Sequence, residues 1–258
     1  MAEEKRQFPS EVIDLPSKGW FYQSDNPLSS GQVEIKYMTA KEEDILTSSN
    51  LIQKGIVMDK LLEALIVTEG VKLDDVLLGD KNAIMVASRV LAYGKDYPIE
   101  FTDGSSGRKR EEVVDLTSLD DKKIDFKKFS KGVNEHQFEL PVSKRKITFK
   151  LLTQSDDKNI DIELKAMKKF TKESGIDPEV TTRLKHSIIS LDGSDDKNEI
   201  VKFIDNEFLA VDSLAYRTYL TSITPDVDLT IMVELDNGEV EEVAVPVTAR
   251  FFWPSSKG

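Results

Sequence analysis

One short design occurs twice in this chain, and it limits the folds available. Leu15-Pro16-Ser17-Lys18 precedes the stretch 33–44, VEIKYMTAKEED, and Leu140-Pro141-Val142-Ser143-Lys144 leads into 144–157, KRKITFKLLTQSDD. Each copy reads as a Leu-Pro turn, an alternating strand and an acidic helix start. Thr39 with Glu42 three residues on forms a capping box, and Glu43 and Asp44 lie at the positive end of the helix dipole. Ser155, followed by Asp156 and Asp157, opens the later helix in the same way. A third block, 60–70 (KLLEALIVTEG), is echoed at 183–193 (RLKHSIISLDG). Three blocks in one order read as a diverged tandem duplication. The plainer alternative is that strand-turn-helix units resemble one another in composition.

The expected fold class is α+β: two related modules, each with antiparallel hairpins flanking a helical cluster. Residues 1–32 read as an N-terminal arm and loop, with 1–7 a charged tail and 8–22 an irregular apolar arm. The first module spans 33–116, with helices over 40–54, 58–67 and from about Asp80 to Tyr93, then a hairpin through 103–107. Residues 117–136 are a charged connection. The second module spans 137–258 and ends in an aromatic tail. In it a hairpin crosses Ser143-Lys144-Arg145 and helices cover 155–170, 178–191, 196–206 and 213–221. A last hairpin turns at Asp236-Asn237-Gly238, a strong two-residue turn signal.

Composition removes several classes of function. A net charge of −12 over 258 residues repels phosphate backbones and anionic membrane surfaces, so neither nucleic acid nor membrane is an expected partner. The absence of cysteine rules out disulfides, thiolate metal sites and a thiol nucleophile. The first residues lack the apolar stretch of a signal peptide, and no apolar run is long enough to cross a bilayer. His136 and His186, the two histidines, each read as lone surface groups without a ligand partner at metal-binding spacing. The acidic pairs Asp120-Asp121, Asp156-Asp157 and Asp195-Asp196 read as caps and solvated charge. No phosphate-binding loop, dinucleotide-binding turn or nucleophile elbow occurs. No catalytic, cofactor or metal site is expected.

What remains is contact with other proteins. Trp20-Phe21-Tyr22 and Phe251-Phe252-Trp253 are aromatic clusters of the kind that anchor interfaces, although a terminal strand tucked onto a sheet would also account for the second. Arg108-Lys109-Arg110 and Lys144-Arg145-Lys146 interrupt the acidic background at hairpins. They read either as protection of strand edges or as contacts for an acidic partner.

The segment 8–22 (FPSEVIDLPSKGWFY), the strand and helix start at 33–44, Gly79-Asp80-Lys81-Asn82, 89–94 (RVLAYG) and the ending Phe251-Phe252-Trp253-Pro254-Ser255 together resemble the baseplate hub proteins of T-even-type contractile-tailed phages. The resemblance covers nearly the whole chain. The strand 146–153 (KITFKLLT) before its acidic helix is also similar to tail assembly chaperones. The resemblance implies a non-enzymatic role in baseplate and tail assembly through protein contacts, in an oligomeric or hetero-oligomeric assembly. It also implies a location in the virion or in the host cytoplasm during assembly. A tail assembly chaperone absent from the mature particle is the first alternative. A metal-dependent hydrolase built on the Asp pairs is the second.

Overall fold

The two Leu-Pro elements set the frame of both modules. Proline donates no ladder hydrogen bond, so a strand running into Pro16 or Pro141 must end. The chain then turns, closing with Lys18 N–H on the Leu15 carbonyl (2.8 Å) and Lys144 N–H on the Leu140 carbonyl (3.0 Å). Both lysines sit in the left-handed region, at φ 50° and 59°, uncommon for residues other than glycine. The computed structural model describes residues 9–168, 178–247 and 249–252.

In the first module β1 (Ser10–Asp14) runs into the turn and pairs antiparallel with β2 (Gln32–Lys36), Val12 opposite Glu34. The arm expected to be irregular therefore carries a strand, whose ladder to β2 satisfies its backbone. Three helices follow: α1 (Ala40–Thr47), α2 (Ser49–Lys54) and α3 (Val57–Leu65). The helix expected over 40–54 is broken at Ser48, whose ψ of 104° is extended. After α3, Ile66 returns to bridge Ile35 of β2. Then come α4 (Leu78–Tyr93) and the hairpin of β3 (Asp96–Thr102) with β4 (Lys109–Asp115).

The second half also starts with two paired strands and ends in a hairpin, but its helices are divided two and two by a further strand. β5 (His136–Glu139) meets β6 (Lys146–Phe149) across its Leu-Pro turn, and α5 (Gln154–Lys168) and α6 (Glu179–Ser187) follow. The chain after α6 then becomes β7 (Ile188–Leu191), which completes a sheet of order β5-β6-β7. The helix expected to reach Leu191 stops short because Ile188 and Ile189 are β-branched and gain a ladder beside β6. Next are α7 (Lys197–Asn206), α8 (Ala210–Ile223) and the hairpin of β8 (Thr230–Glu234) with β9 (Val240–Ala244). The fold is α+β, with helices and antiparallel hairpins in both halves. The last described residues, Ala249–Phe252, form a single 3₁₀ turn rather than a strand.

The two halves share one core, and short antiparallel bridges form a seam between them. Leu78 N–H donates to the Leu152 carbonyl (3.1 Å) and Gln154 N–H to the Val76 carbonyl (2.8 Å). Lys122 N–H donates to the Asp226 carbonyl and Asp228 N–H to the Asp120 carbonyl, both at 2.8 Å, so the charged connection is itself part of the seam. Beside it the buried amide of Gln154 donates to both oxygens of Asp59 (2.9 and 3.0 Å), with Lys81 and Lys158 each 3.4 Å from that carboxylate. Tightest of all is Gly79, where an added Cβ would lie 1.8 Å from the Pro225 carbonyl oxygen. Gly79→Ala should therefore lower the melting temperature by roughly 5–10 °C, because neither backbone can give way cheaply. Val211, the second residue of α8 as Gly79 is of α4, is 62% exposed, and Val211→Ala should leave melting nearly unchanged. Thermal denaturation of the two variants compares them directly.

Candidate functional site

Each Leu-Pro turn is held by a carboxylate on the third residue of a later helix, where the helix dipole favours negative charge. Asp80 of α4 accepts from Ser17 N–H (2.9 Å) and from the Tyr22 hydroxyl (2.6 Å), and that hydroxyl accepts in turn from Leu77 N–H (2.9 Å). Asp212 of α8 accepts from Val142 N–H (2.8 Å) and Ser143 N–H (3.0 Å). Both carboxylates are fully buried. Desolvation pushes the Asp80 carboxyl above its ordinary value, since it lies deep at the seam. Asp212 lies under thinner cover. Burial is still the largest influence there, but the turn N–H groups outweigh it and hold the carboxyl below its ordinary value. Asp80 was read only as a helix start and Asp212 not at all, although Leu77-Leu78-Gly79-Asp80 and Leu209-Ala210-Val211-Asp212 share a first leucine and a last aspartate.

The helix starts are equally alike. Glu42 accepts from Thr39 N–H (2.9 Å) and from the Lys36 ammonium (2.7 Å), and Asp156 accepts from Thr153 N–H (3.0 Å) and the Lys150 ammonium (2.7 Å). Glu42 is buried, which alone would raise its pKa, but these donors hold it down to about 2. These acids are structural caps. Asp157 pairs with Arg183, Asp121 with Lys18, and Asp196 caps α7. Among the described residues no three His, Asp or Glu side chains converge as a metal-binding group.

Most of the aromatic candidates prove to be core. Phe21 and Tyr22 are 3% and 5% exposed, and Phe251 and Phe252 are fully buried. Phe21 packs on Phe126 and Phe129 of the connection, and Phe251 meets Tyr97 edge-on at 4.9 Å. These four hold this chain together and are not offered to a partner. Trp20 is half-buried, its indole N–H donating to the Phe129 carbonyl (3.0 Å). Trp253 lies outside the described residues. Of the basic cluster, Arg108 and Lys109 are exposed at the hairpin end. Arg110 instead pairs with Asp103 (3.2 Å) and Asp236 (3.5 Å). Arg145 of the second cluster is held by Asp192 and Glu207.

His136 corrects the sequence reading in the opposite sense. It is 6% exposed and boxed by Phe21, Phe129 and Phe149, with its Nε2 buried and unpartnered. Its neighbours in sequence are polar, so only pairing in β5 reveals the inward face. His186 keeps a carboxylate partner, Glu163, at 3.0 Å.

An opening on the surface lies against the seam. It has a volume of about 460 Å³ and an apolar floor of Leu78, Leu152, Val180, Leu184 and Leu220. Lys122, Arg183 and Arg217 rim it, facing Glu179 and Asp226. Arg183 is committed to Glu179 (3.1 Å) and Asp157 (3.3 Å). No ion-pair or hydrogen-bond partner is found for the side chains of Lys122 and Arg217 among the described residues. A groove of this kind suits an apolar segment carrying a carboxylate. Sequence reasoning missed it, because its walls come from both modules. A second apolar area surrounds the turn held by Asp212, where Val142, Leu209, Val211 and Leu214 are 46–62% exposed. No protein-family model matches the chain, and no curated protein or solved structure matches it.

Burial lowers the His136 pKa from the ordinary 6.5. The unfolded chain therefore takes up this proton before the folded one does. The neutral ring's contribution to stability is complete above about pH 6.5 and declines as pH falls toward the lowered folded value. The imidazole should titrate below 6.5 in an NMR pH series of the folded protein. His136→Phe should flatten the loss of stability between pH 7 and 5, relative to the wild type. Titration at or above 6.5 would contradict the buried placement.

Proposed function

We propose that this chain is a non-enzymatic component of the baseplate hub of a contractile-tailed phage and acts in tail assembly through protein contacts. The observation that carries the contact mode is the seam groove, an apolar floor rimmed by the uncommitted cations Lys122 and Arg217 on a chain of net charge −12. Charge of that kind, kept against the background, supports recognition of a carboxylate-bearing partner segment. The phage assignment is supported by the resemblance of the 8–22 arm, the 33–44 strand and helix start, and the aromatic ending. The catalytic alternative is weakened by the use of its acidic pairs: Asp156, Asp157, Asp121 and Asp196 are each engaged in a cap or an ion pair.

Mass spectrometry of gradient-purified particles beside the infected-cell lysate tests this reading. The hub assignment requires the chain in particles at a fixed ratio to other baseplate proteins. Abundance in the lysate with absence from particles identifies the tail assembly chaperone instead. Arg217→Glu should weaken incorporation at least ten-fold with melting unchanged, since Arg217 is exposed, and adding Lys122→Glu at the half-buried Lys122 should weaken it further. Unchanged incorporation would remove the groove from the contact.

A further inference from the structure

Two free strand edges face each other across a cleft. β3-β4 and β8-β9 are separate two-stranded sheets, so among the described residues β4 and β8 each have one ladder partner and one open edge. A cleft of about 410 Å³ runs between them, walled by Arg110 and residues 112–115 of β4 and by residues 231–234 of β8. Backbone alternation shows which groups face it. Leu116 N–H donates to the Lys95 carbonyl and Asp103 N–H to the Arg108 carbonyl, so the even-numbered residues of β4 bond toward β3. Glu111 and Val113 therefore direct their N–H and C=O the other way. On the opposite wall Leu235 N–H donates to the Glu239 carbonyl and Val245 N–H to the Leu229 carbonyl. The odd-numbered residues of β8 thus serve β9, and Met232 and Glu234 face the cleft. Arg110 confirms the geometry at one end, reaching across from β4 to donate to the Glu234 carbonyl (2.8 Å).

An open edge normally invites pairing unless charge, proline or a bulge blunts it. Here Val113 and Met232 are 61% and 67% exposed, while Val114 and Val233 are buried beneath. Glu112 and Glu234 line the cleft, with Glu111 beside them on β4 and Glu241 and Glu242 on β9, while Asp115 is paired with Lys95 and the one exposed cation of β4, Lys109, stands at its far end. The charge of Arg110 is already met by Asp103 and Asp236. We propose that the cleft between β4 and β8 receives an extended, basic segment of a partner protein as an added β-strand, which joins the two hairpins into one continuous sheet. About five residues fill it at ~3.3 Å each, antiparallel to one wall and parallel to the other. Their inward side chains are apolar and rest on Val114 and Val233. Their outward side chains lie between Val113 and Met232, with flanking lysine or arginine against the glutamates. The inference deepens the protein-contact reading of the function and rests on it.

The test uses the full chain and a fluorescein-labelled heptapeptide alternating valine and lysine. The peptide should bind with a rise in anisotropy. It should slow amide exchange at Glu111, Val113 and Met232 at least ten-fold. Val113→Pro removes a cleft-facing N–H and no β3 bond, so it should weaken binding at least ten-fold with melting nearly unchanged. Should that variant unfold, Met232→Pro tests the opposite wall. The same peptide N-methylated at alternate residues tests the wild-type chain, and it should not bind. Binding of the N-methylated peptide, or protection elsewhere on the chain, overturns the proposal. So does protection of the three amides without peptide. If that protection is independent of concentration, one of this chain's own termini fills the cleft; if it grows with concentration, a second copy does. A negative peptide result leaves the hub assignment standing, since particle composition decides that separately.

Discussion

Everything in this structure depends on how closely α4 approaches the Pro225 carbonyl. That contact leaves no room for a Cβ on residue 79, and it places the start of α4 inside the second module. From there Asp80 reaches back to hold Ser17 and Tyr22, while Asn82 donates to Asp226 (2.9 Å). One helix start thus fixes the first module's turn, the charged connection and the segment after α8. Burying Asp80 costs free energy that its hydrogen bonds from Ser17 and Tyr22 offset only in part, since desolvation still pushes the carboxyl up.

The second module uses the same grip without the cover. Asp212 holds its Leu-Pro turn as Asp80 does, but the next residues outward are exposed Val142, Val211 and Leu214. Val211 stands where glycine permits the close approach in the first module. The covered copy therefore seals the seam. The open turn, the seam groove and the cleft between hairpins stay accessible among the described residues. The first is apolar, the second is apolar with a charged rim, and the third offers backbone groups along two strand edges.

Much of the fold was legible. The Leu-Pro turns, the alternating strands β2 and β6 and the acidic starts of α1 and α5 were legible, because turn chemistry and capping act over a few residues and leave a local signature. The Asn-Gly hairpin between β8 and β9 follows from the same kind of signal. The site was far less legible. Phe251 and Phe252 looked like an exposed plug because the sequence cannot show that Tyr97 waits to pack on them. His136 looked exposed because its inward face is set by pairing with Phe149. Strand β7 looked helical because its preference is decided by the free edge of β6. That Lys122 and Arg217 rim one groove is invisible until α6, α8 and the connection meet.

Native-state hydrogen exchange tests most directly whether the seam makes the two modules one folding unit. The amides to follow are Leu78, Lys122, Gln154 and Asp228, each bonded across the seam. If the modules fold together, these four exchange only by global unfolding, with the same denaturant dependence as the buried strand amides of both modules. Faster exchange of the four, with separate opening free energies for the two modules, would contradict a shared seam and leave two bodies in loose contact.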